Sequence, residues 1–570
     1  MKARCLLSFL LSTFVAYTSV AIADREPADG TVVGNWHMVS AANPAASQAG
    51  LDVLEAGGTA MDAAVAVQFM LNLVEPESSG IGGGAFLLYW DASEKRLETY
   101  DGREKAPMSA TGEYFLKEDG SPMKWSEAVP GGLSVGVPGT LMLLEQAHAD
   151  HGLKPWKALV QPTIELAESG FTVSEKLSNS IAAAAERGLT TFDTTRNYFY
   201  NEDGSARVAG SLLKNPEFAQ TLKLIADSGS EPFYKGSIAE GIVTAINTET
   251  NTGQMTLDDL AAYEVVKRDP VCFPYREFEV CGMGPPTSGG LTMGQILSML
   301  SHYDLPGMGP GPESWHLFIE AAKLAYADRG LYMADSDFVD MPEGLLNQTY
   351  LQGRAKLIDA NSAMEKAEAG EPPWDEAVLL APDTQEERPG TSHFVIADKY
   401  GNRVSMTTTI ESGFGSRVMT GGFLLNNELT DFSFVPVRDG KPVANRVEGG
   451  KRPRSSMSPT MVFKNDRPYL LTGSPGGSRI INYVTQSVVA MLDWGMSPQT
   501  ALNMGHVVNR NGKTDLEEGT EAIEIKESLE VLGHQINVRS LTSGLHAIKL
   551  ESVWMYGAAD PRREGIAMGR

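Results

Sequence analysis

The sequence lacks the main features of membrane-spanning and nucleic-acid-binding proteins. Beyond residue 23 it has no uninterrupted apolar run of about 18 residues, the length that a spanning helix requires. Positive charge is scarce, since 47 lysines and arginines face 72 aspartates and glutamates, a formal charge of −25. Such an acidic surface repels nucleic acid and anionic lipid, so neither is expected as a partner. The sequence also contains no H-E-x-x-H or Walker motif.

The first 23 residues have the pattern of a secretory signal peptide. Lys2 and Arg4 form a short positive region, residues 6–20 are apolar, and residues 21–23 (Ala-Ile-Ala) supply a small-x-small cleavage signal. The alternative is a signal anchor that remains attached. The pattern predicts a mature chain that begins at Asp24 and a protein secreted to the periplasm.

Two cysteines, Cys272 and Cys281, remain after this predicted processing. The alternation of residues around them predicts a hairpin, and a turn between Arg276 and Glu277 would place the two cysteines opposite each other. An exported protein can keep a disulfide at such a position. Two buried thiols are the alternative, and in either form the pair is interpreted as structural rather than metal-binding.

Helix-like and strand-like segments follow one another in mixed order without a fixed repeat. The periodicity predicts helices at 45–56, 60–74, 141–148, 156–168, 291–300 and 313–327, and strands at 85–90, 394–398, 403–408 and 469–472. Residues 363–390 are acidic, proline-interrupted and weakly periodic, which predicts an exposed linker. A dense β-rich region follows. This order is typical of a domain built from layers of sheet and helix, although it does not specify the topology.

Two conspicuous motifs have structural interpretations. Residues 80–85 (GIGGGA) match a dinucleotide-binding fingerprint, but a helix precedes them and a strand follows, the reverse of the order that this fingerprint needs. We interpret them as a flexible turn beside a site and expect no cofactor. His148 and His151 lie three residues apart without a carboxylate set at useful spacing, so we interpret them as a solvated helix end and expect no metal site.

The functional signal lies after residue 390. Thr391 follows Gly390 where the linker meets a strand, and alone it would be only a strand-forming residue. Several motifs accompany it: 407–409 (TTT), 424–432 (LLNNELTDF), 452–460 (RPRSSMSPT) and 472–479 (TGSPGGSR). Others are spread along the chain: 134–140 (SVGVPGT), 165–171 (ELAESGF), 322–329 (AKLAYADR) and 556–563 (YGAADPRR). Together these motifs resemble the γ-glutamyltransferases (glutathione hydrolases), from about residue 30 to residue 570.

The resemblance implies an α+β fold of the N-terminal-nucleophile hydrolase type, a four-layer αββα sandwich. It also implies one precursor that cleaves itself into a large subunit, residues 24–390, and a small subunit, residues 391–570. Both subunits would form a single αββα unit.

Cleavage between Gly390 and Thr391 would leave Thr391 with a free α-amine. An amine with a reference pKa near 8 can act as the base that activates the hydroxyl of the same residue. Gly390 has no Cβ, which permits the tight geometry in which the hydroxyl reaches the preceding carbonyl. By resemblance, Thr409 orients Thr391, and the N–H groups of Gly476 and Gly477 form the oxyanion hole. A β-turn is the structural alternative for the two glycines, and both roles are compatible.

The resemblance also assigns the residues that bind the γ-glutamyl donor. Its α-carboxylate would bind Arg103, Ser455 and Ser456, since a guanidinium can hold a carboxylate through two parallel hydrogen bonds. Its α-ammonium would bind Glu428 and Asp431. These acids are three residues apart and would not share a face of a regular strand, so a turn must bring them together.

Two features depart from the family pattern. Position 411 is usually an asparagine that helps to bind the donor; here Glu411 should attract the ammonium but repel the adjacent carboxylate. The stretch from Asp431 to Ser455 is shorter than in members with a lid loop, and its aromatic residues, Phe432 and Phe434, include no lid tyrosine. We expect a more open pocket that favours hydrolysis over transfer or admits larger acyl groups.

We therefore predict an enzyme that takes the γ-glutamyl group from glutathione and related amides through an ester on Thr391 and passes it to water, an amino acid or a peptide. One alternative is a cephalosporin or glutaryl acylase of the same fold. The acid pair Glu428 and Asp431 disfavours it, because a glutaryl group has no ammonium to satisfy two buried acids. Another alternative is an inactive module that binds glutathione or peptides, whose Gly390–Thr391 junction would remain intact.

Overall fold

The structure of the protein is a computed structural model. It describes residues 29–375, 377–385 and 387–570. The predicted signal peptide, residues 1–23, lies outside the described residues. The strands are β1 Val32–Gly34, β2 Met38–Ala41, β3 Gly84–Asp91, β4 Arg96–Gly102, β5 Phe171–Thr172, β6 Leu212–Leu213, β7 Val266–Arg268, β8 Val271–Tyr275, β9 Phe278–Gly282, β10 Thr391–Ala397, β11 Arg403–Thr409, β12 Met419–Thr420, β13 Phe423–Leu424, β14 Val437–Arg438, β15 Lys441–Pro442, β16 Thr460–Lys464, β17 Arg467–Gly473, β18 Val507–Val508, β19 Thr514–Glu517, β20 Ile536–Arg539, β21 His546–Glu551, β22 Trp554–Ala559 and β23 Ile566–Gly569.

Helices are concentrated in the part of the chain that precedes residue 360. They are α1 Pro44–Glu55, α2 Ala60–Val74, α3 Trp125–Ala128, α4 Thr140–His151, α5 Trp156–Ser169, α6 Glu175–Ala184, α7 Asp193–Phe199, α8 Pro216–Ser228, α9 Glu231–Lys235, α10 Ser237–Ala245, α11 Leu257–Ala261, α12 Gly289–Leu300, α13 Leu305–Met308, α14 Pro312–Tyr332, α15 Gln348–Ala355, α16 Ile480–Leu492, α17 Pro498–Asn503 and α18 Lys526–Val531.

Two seven-stranded sheets form the centre of the molecule. Sheet I has the order β23-β2-β10-β11-β3-β4-β7, and sheet II has the order β1-β22-β21-β17-β16-β9-β8. Strand β10 is the third of the seven strands of sheet I, antiparallel to β2 on one side and β11 on the other. Sheet I therefore joins segments from both sides of residue 390, and so does sheet II, in which β16 pairs with β9.

The strands of sheet I are buried on both faces. Leu87, Phe394 and Ile396 belong to a core cluster that they share with α1 and α2. Phe86 and Val395, which alternate with them, belong to a second cluster that includes sheet II and helices α12, α14 and α16. Successive strand residues point to opposite faces, so the two clusters lie on opposite sides of sheet I. The layers run helix, sheet, sheet, helix, which confirms the predicted αββα architecture.

Local sequence signals account for the helix that supports sheet I. Thr59 caps α2 through a reciprocal pair of hydrogen bonds with Asp62. Every residue of α2 is buried, which agrees with its apolar composition on all sides. The expected helix at 60–74 is confirmed at both ends, and the other predicted helices and strands are present with shifts at their ends. Helix α14 extends five residues beyond its expected end, from residue 327 to Tyr332.

The predicted exposed linker is only partly exposed. Residues 363–390 contain no helix or strand in their described part, as expected, but Ala367, Ala381 and Glu387 are buried. Asn511 holds both backbone groups of Ala367, at 2.7 and 2.8 Å. The expectation of a solvated segment was wrong because these tertiary contacts leave no periodic signal in the sequence.

The interpretation of the histidines at the end of α4 was also wrong in part. His148 and His151 do lie in the last turn of the helix, but neither is freely solvated. His148 Nε2 lies 3.0 Å from the carbonyl oxygen of Lys154, and His151 Nε2 lies 2.8 Å from the hydroxyl of Tyr100. Both imidazoles are therefore held by contacts within the protein.

The predicted hairpin is formed by β8 and β9, in which Cys272 lies directly opposite Cys281. The two sulfur atoms are joined in a disulfide. The structure thus favours the disulfide over two buried thiols. Within the described residues, no helix combines the length and apolar character needed to cross a membrane.

Candidate active site

Thr391 is the first residue of β10, and its backbone lies opposite Thr409 at the end of β11. Both side chains are buried. Arg563 donates through Nη1 to the carbonyl oxygen of Thr391 at 2.9 Å, which fixes the end of the strand. The irregular segment therefore ends and the β-rich region begins between Gly390 and Thr391, as predicted, at the start of an interior strand of sheet I.

The hydroxyl of Thr409 links the two sides of the Gly390–Thr391 bond. It donates to the carbonyl oxygen of Gly390 at 3.0 Å and accepts the N–H of Glu411 at 2.8 Å. Thr391 Oγ1 lies 3.2 Å from Thr409 Oγ1. Because the single hydroxyl proton of Thr409 is directed to Gly390, Thr391 must be the donor of this contact. The nucleophile candidate and the carbonyl that precedes it thus share one hydroxyl.

The glycines near this junction occupy positions that larger residues would not fit. A Cβ on Gly390 would lie 2.3 Å from the carbonyl oxygen of Glu411. Gly476 and Gly477 both have positive φ angles, +142° and +60°, and a Cβ on Gly477 would lie 2.7 Å from the carbonyl oxygen of Glu387. The loop that carries the predicted oxyanion donors therefore packs against the segment that leads into Thr391. It also turns sharply there, so the structural alternative of a turn holds as well.

The predicted donor-binding residues Arg103, Glu428 and Asp431 form one buried cluster. A short 3₁₀ helix, Glu428–Asp431, brings the two acids together, as the spacing required. Arg103 donates through Nη1 to Glu428 and through Nη2 to Asp431, the latter at 2.7 Å. Its remaining bonds go to the carbonyl oxygens of Pro453 at 3.1 Å and Arg454 at 3.0 Å. The predicted carboxylate ligand and the predicted ammonium ligands are thus paired with one another.

Burial dominates the electrostatics of this cluster. It raises the pKa of Glu428 and Asp431 well above the ordinary value, although Arg103 opposes the shift. Burial likewise raises the pKa of Glu104 to about 7, and Glu104 lies 3.8 Å from Arg103 Nη1. For Arg103 itself burial acts to lower the pKa, but Glu428 and Asp431 outweigh it and keep the guanidinium charged. One permanent cation therefore faces three acids that resist ionisation.

Ser455 and Ser456 are not in hydrogen-bond contact with Arg103. Ser455 Oγ accepts the N–H of Met457 at 3.1 Å. Ser456 Oγ accepts from Arg329 Nη2 at 2.7 Å, and the same nitrogen donates to Glu387. The sequence did not predict a role for Arg329 or Glu387. Its one signal was that Arg329 is the last residue of the motif at 322–329, which resembles the family. Glu387, from the segment before Thr391, thus shares Arg329 with Ser456, a serine predicted to bind the carboxylate of the donor.

Glu411, the departure from the family pattern, is buried with a φ of +74°. Its carboxylate accepts from the backbone N–H of Arg388 at 3.0 Å and from Asn427 Nδ2 at 2.7 Å. Burial raises its pKa, and the Arg388 N–H opposes this effect. Glu411 therefore contacts the segment that precedes the junction.

The aromatic residues of the short stretch after Asp431 belong to the core and not to a lid. Phe432 and Phe434 are buried, and Phe434 stacks on Phe115 with ring centroids 4.3 Å apart. This stretch thus contains no tyrosine, and both of its phenylalanines pack into the core.

A threonine at the start of a central strand, between two facing sheets with helices outside, defines an N-terminal-nucleophile hydrolase. The sequence profile described as gamma-glutamyltranspeptidase matches residues 46–570. The chain therefore belongs to the γ-glutamyltranspeptidase family, and it is an enzyme of that family of hydrolases and transferases.

Similar proteins cover almost the whole chain. The glutathione hydrolase proenzyme of Bacillus subtilis (strain 168) is 37% identical over 550 residues, which is 94% of this chain and 92% of that protein. The glutathione hydrolase proenzyme of Escherichia coli (strain K12) is 36% identical over 92% of this chain and 90% of its own length. Among solved structures, the cephalosporin acylase from Bacillus halodurans has a TM-score of 0.84 and 28% identity, covering 98% of this chain and 99% of that one.

Proposed function

We propose that the protein cleaves itself before Thr391 and then uses that threonine to take the γ-glutamyl group from glutathione and related amides. The acyl group is passed to water or to an amino acid or peptide. The buried cluster of Arg103, Glu428 and Asp431 supports this choice of substrate. It offers one cation and a pair of acids, and a γ-glutamyl donor carries both an α-carboxylate and an α-ammonium. Residues 24–390 and 391–570 then form the two subunits, and residues 1–23 direct secretion to the periplasm.

Self-cleavage begins with attack of Thr391 Oγ1 on the carbonyl carbon of Gly390. The contact of Thr409 with the Gly390 oxygen supports this step, since negative charge develops on that oxygen as the new C–O bond forms. The C–N bond then breaks, the threonine nitrogen takes a proton, and an ester joins Gly390 to Thr391. Water hydrolyses the ester, which leaves a carboxylate on Gly390 and a free amine and hydroxyl on Thr391.

A Thr409→Val substitution is expected to slow self-cleavage by about 10²–10³-fold, the effect of one preorganised donor on a developing oxyanion. Valine keeps the shape of the side chain but removes the hydroxyl that contacts Gly390 and Thr391. The half-time of precursor conversion, followed on denaturing gels, measures the effect.

Thr408→Val is the matched control on the same strand. The Thr408 hydroxyl is buried and has no hydrogen-bond partner among the described residues, so its loss should leave the conversion rate unchanged. Thr409→Ser should restore most of the rate. Conversion of Thr409→Val at the wild-type rate would remove Thr409 from the self-cleavage step.

In the cleaved enzyme the α-amine of Thr391 accepts the hydroxyl proton as Oγ1 attacks the γ-glutamyl amide carbon. The oxyanion is held by the N–H groups of Gly476 and Gly477, and the leaving amine departs with the proton. Water or an acceptor amine then attacks the ester. Cleavage also frees residues 387–390 to leave the site, which releases Arg329 from Glu387 and one oxygen of Glu411 from Arg388.

The charge cluster distinguishes the γ-glutamyl donor from a glutaryl group. A donor with both an α-carboxylate and an α-ammonium can exchange partners with the cluster: Arg103 binds the carboxylate while Glu428 and Asp431 bind the ammonium. A glutaryl group brings only a carboxylate. Binding it to Arg103 would leave two buried acids without their cation, which is unfavourable unless both take up protons.

We expect kcat/KM for a γ-glutamyl anilide to exceed that for a glutaryl anilide by about 100-fold or more, equivalent to about 2.7 kcal/mol. The two substrates differ only at the α-ammonium group, so the ratio reports how the site recognises it. The Glu428→Gln/Asp431→Asn double variant should reduce the ratio by at least about tenfold, because neutral amides attract an ammonium less. Equal or faster hydrolysis of the glutaryl anilide by the wild-type protein would identify an acylase instead.

A further inference from the structure

A second concave site lies at the end of the sheets opposite to Thr391. It is a groove of about 930 Å³, and we call it the hairpin groove. Four turns form it: those joining β3 to β4, β10 to β11, β16 to β17 and β21 to β22. Because β10 runs through seven residues from Thr391 to Ala397, the groove lies about 20 Å from the nucleophile. A molecule bound there would not contact the substrate.

The hairpin groove is cationic although the chain as a whole has a formal charge of −25. Five basic side chains line it, and three acidic ones. The basic residues are Lys95, Lys399, Arg403, Lys464 and Arg467. In an acidic protein most surface cations can find a carboxylate. In the part of the chain that the structure describes, Lys464 pairs with Glu277, but the other four have no carboxylate within ion-pair distance.

Arg403 is the most informative of these residues because its half-buried guanidinium is held in place by the β10–β11 turn. Its Nη1 donates to the carbonyl oxygens of Asp398 at 2.9 Å and Asn402 at 2.8 Å. Its Nε is buried and has no acceptor among residues 29–375, 377–385 and 387–570. Burial lowers the pKa of Arg403 to about 10, and Asp398 offsets this only in part. A half-buried guanidinium without a counter-charge is unfavourable, and a bound anion would supply that charge.

The acid nearest to Arg403 is already committed. The carboxylate of Asp398 accepts the backbone N–H groups of Ala60, Tyr400 and Asn402 at 2.8–2.9 Å, and also Asn402 Nδ2 at 2.9 Å. These bonds hold the β10–β11 turn in shape, and the carboxylate forms no ion pair with Arg403. Of the other two acids, Glu551 pairs with Lys549 at 2.7 Å, and Asp466 lies next to Arg467 in the β16–β17 turn. With five basic and three acidic side chains, the lining keeps an excess of two positive charges.

We propose that the hairpin groove binds an organic anion with two or more carboxylate or phosphate groups. Arg403 supplies the fixed charge at its base, and Lys95, Lys399 and Arg467 supply mobile charges at its rim. Such an arrangement suits a polyvalent anion, since one fixed guanidinium and several exposed basic side chains can hold separate anionic groups. Trp90, Tyr469 and Trp554 also line the groove and offer apolar surface to the carbon skeleton of the ligand.

Isothermal titration of the processed protein with citrate and, separately, with inorganic pyrophosphate tests the proposal at low ionic strength. Saturable binding is expected for at least one probe, and the preferred probe tells which anionic group the groove selects. In the Lys399→Gln/Arg467→Gln double variant the Kd should rise at least about tenfold. The Lys157→Gln/Lys223→Gln double variant removes the same charge from exposed ion pairs on α5 and α8, and it should bind as the wild type does.

Arg403→Gln provides a second measurement where it folds, and the anion should then no longer raise its Tm as it raises that of the wild type. If this variant does not fold, the two double variants decide. The proposal is overturned if neither probe binds saturably below about 10 mM. Equal weakening in both double variants would also overturn it, because binding would then follow net charge and not the groove.

Discussion

A Thr391→Ala protein is expected to stay a single chain and to lose activity toward γ-glutamyl anilides by about 10⁴-fold or more, the scale on which the loss of a catalytic nucleophile acts. The same hydroxyl performs both steps of the proposed chemistry. Without it Gly390 receives no intramolecular attack, and the amine that serves as base in the mature enzyme is never released. Denaturing gels and intact mass measure the first effect, and anilide hydrolysis measures the second.

Two variants of the same strand end separate the hydroxyl from a general disturbance of β10. Ser392→Ala removes the neighbouring hydroxyl, which donates to Glu75 at 2.7 Å on the other face of the strand, and it should still be processed. Thr391→Ser keeps a nucleophile and should also give two chains. Recovery of a chain that begins at residue 391 from Thr391→Ala would show that another group cleaves the junction.

The start of β10 at Thr391 could be predicted from the sequence because its evidence is local. Gly390 and Thr391 are adjacent, and the change from an aperiodic acidic segment to alternating residues marks the start of β10. Thr409 is one hairpin away, and an antiparallel pair with a short turn brings the two hydroxyls opposite each other. The disulfide between Cys272 and Cys281 was predictable for the same reason, since both cysteines lie in one hairpin.

The pairings inside the proposed donor site were not predictable, because they join distant parts of the chain. Arg103 contacts Glu428 across more than 300 residues, and no periodicity records such a contact. The sequence indicated which residues belong to the site but not that the predicted cation and acids neutralise one another before substrate binds. Similarly, the weak periodicity of residues 363–390 gave no sign that Glu387 and Ser456 both accept from Arg329 Nη2.

The pairing in the donor site leads to a prediction about Arg103. Arg103→Lys is expected to raise KM for a γ-glutamyl anilide by about 10–100-fold, equivalent to about 1.4–2.7 kcal/mol, with a much smaller change in kcat. Lysine keeps the charge but is a single point donor, whereas the guanidinium spans Glu428, Asp431 and two backbone carbonyls. It therefore loses the planar two-point grip on a carboxylate and leaves buried acceptors unsatisfied.

Arg96→Lys is the matched control for this substitution. Arg96 also holds a carboxylate through two nitrogens, Nε and Nη2 to Glu98 at 3.1 and 2.5 Å, but this arginine is 65% exposed and lies at the other end of β4 from Arg103. Its replacement should leave KM unchanged. Both variants are compared as fully processed protein, so that slow self-cleavage is not mistaken for weak binding. If KM is the same in Arg103→Lys and wild type, Arg103 does not bind the donor, and its contacts with Glu428 and Asp431 stabilise the fold instead. A rise in KM in Arg103→Lys but not in the control would mean that the donor binds the Arg103 guanidinium, which is paired with Glu428 and Asp431 before the donor arrives.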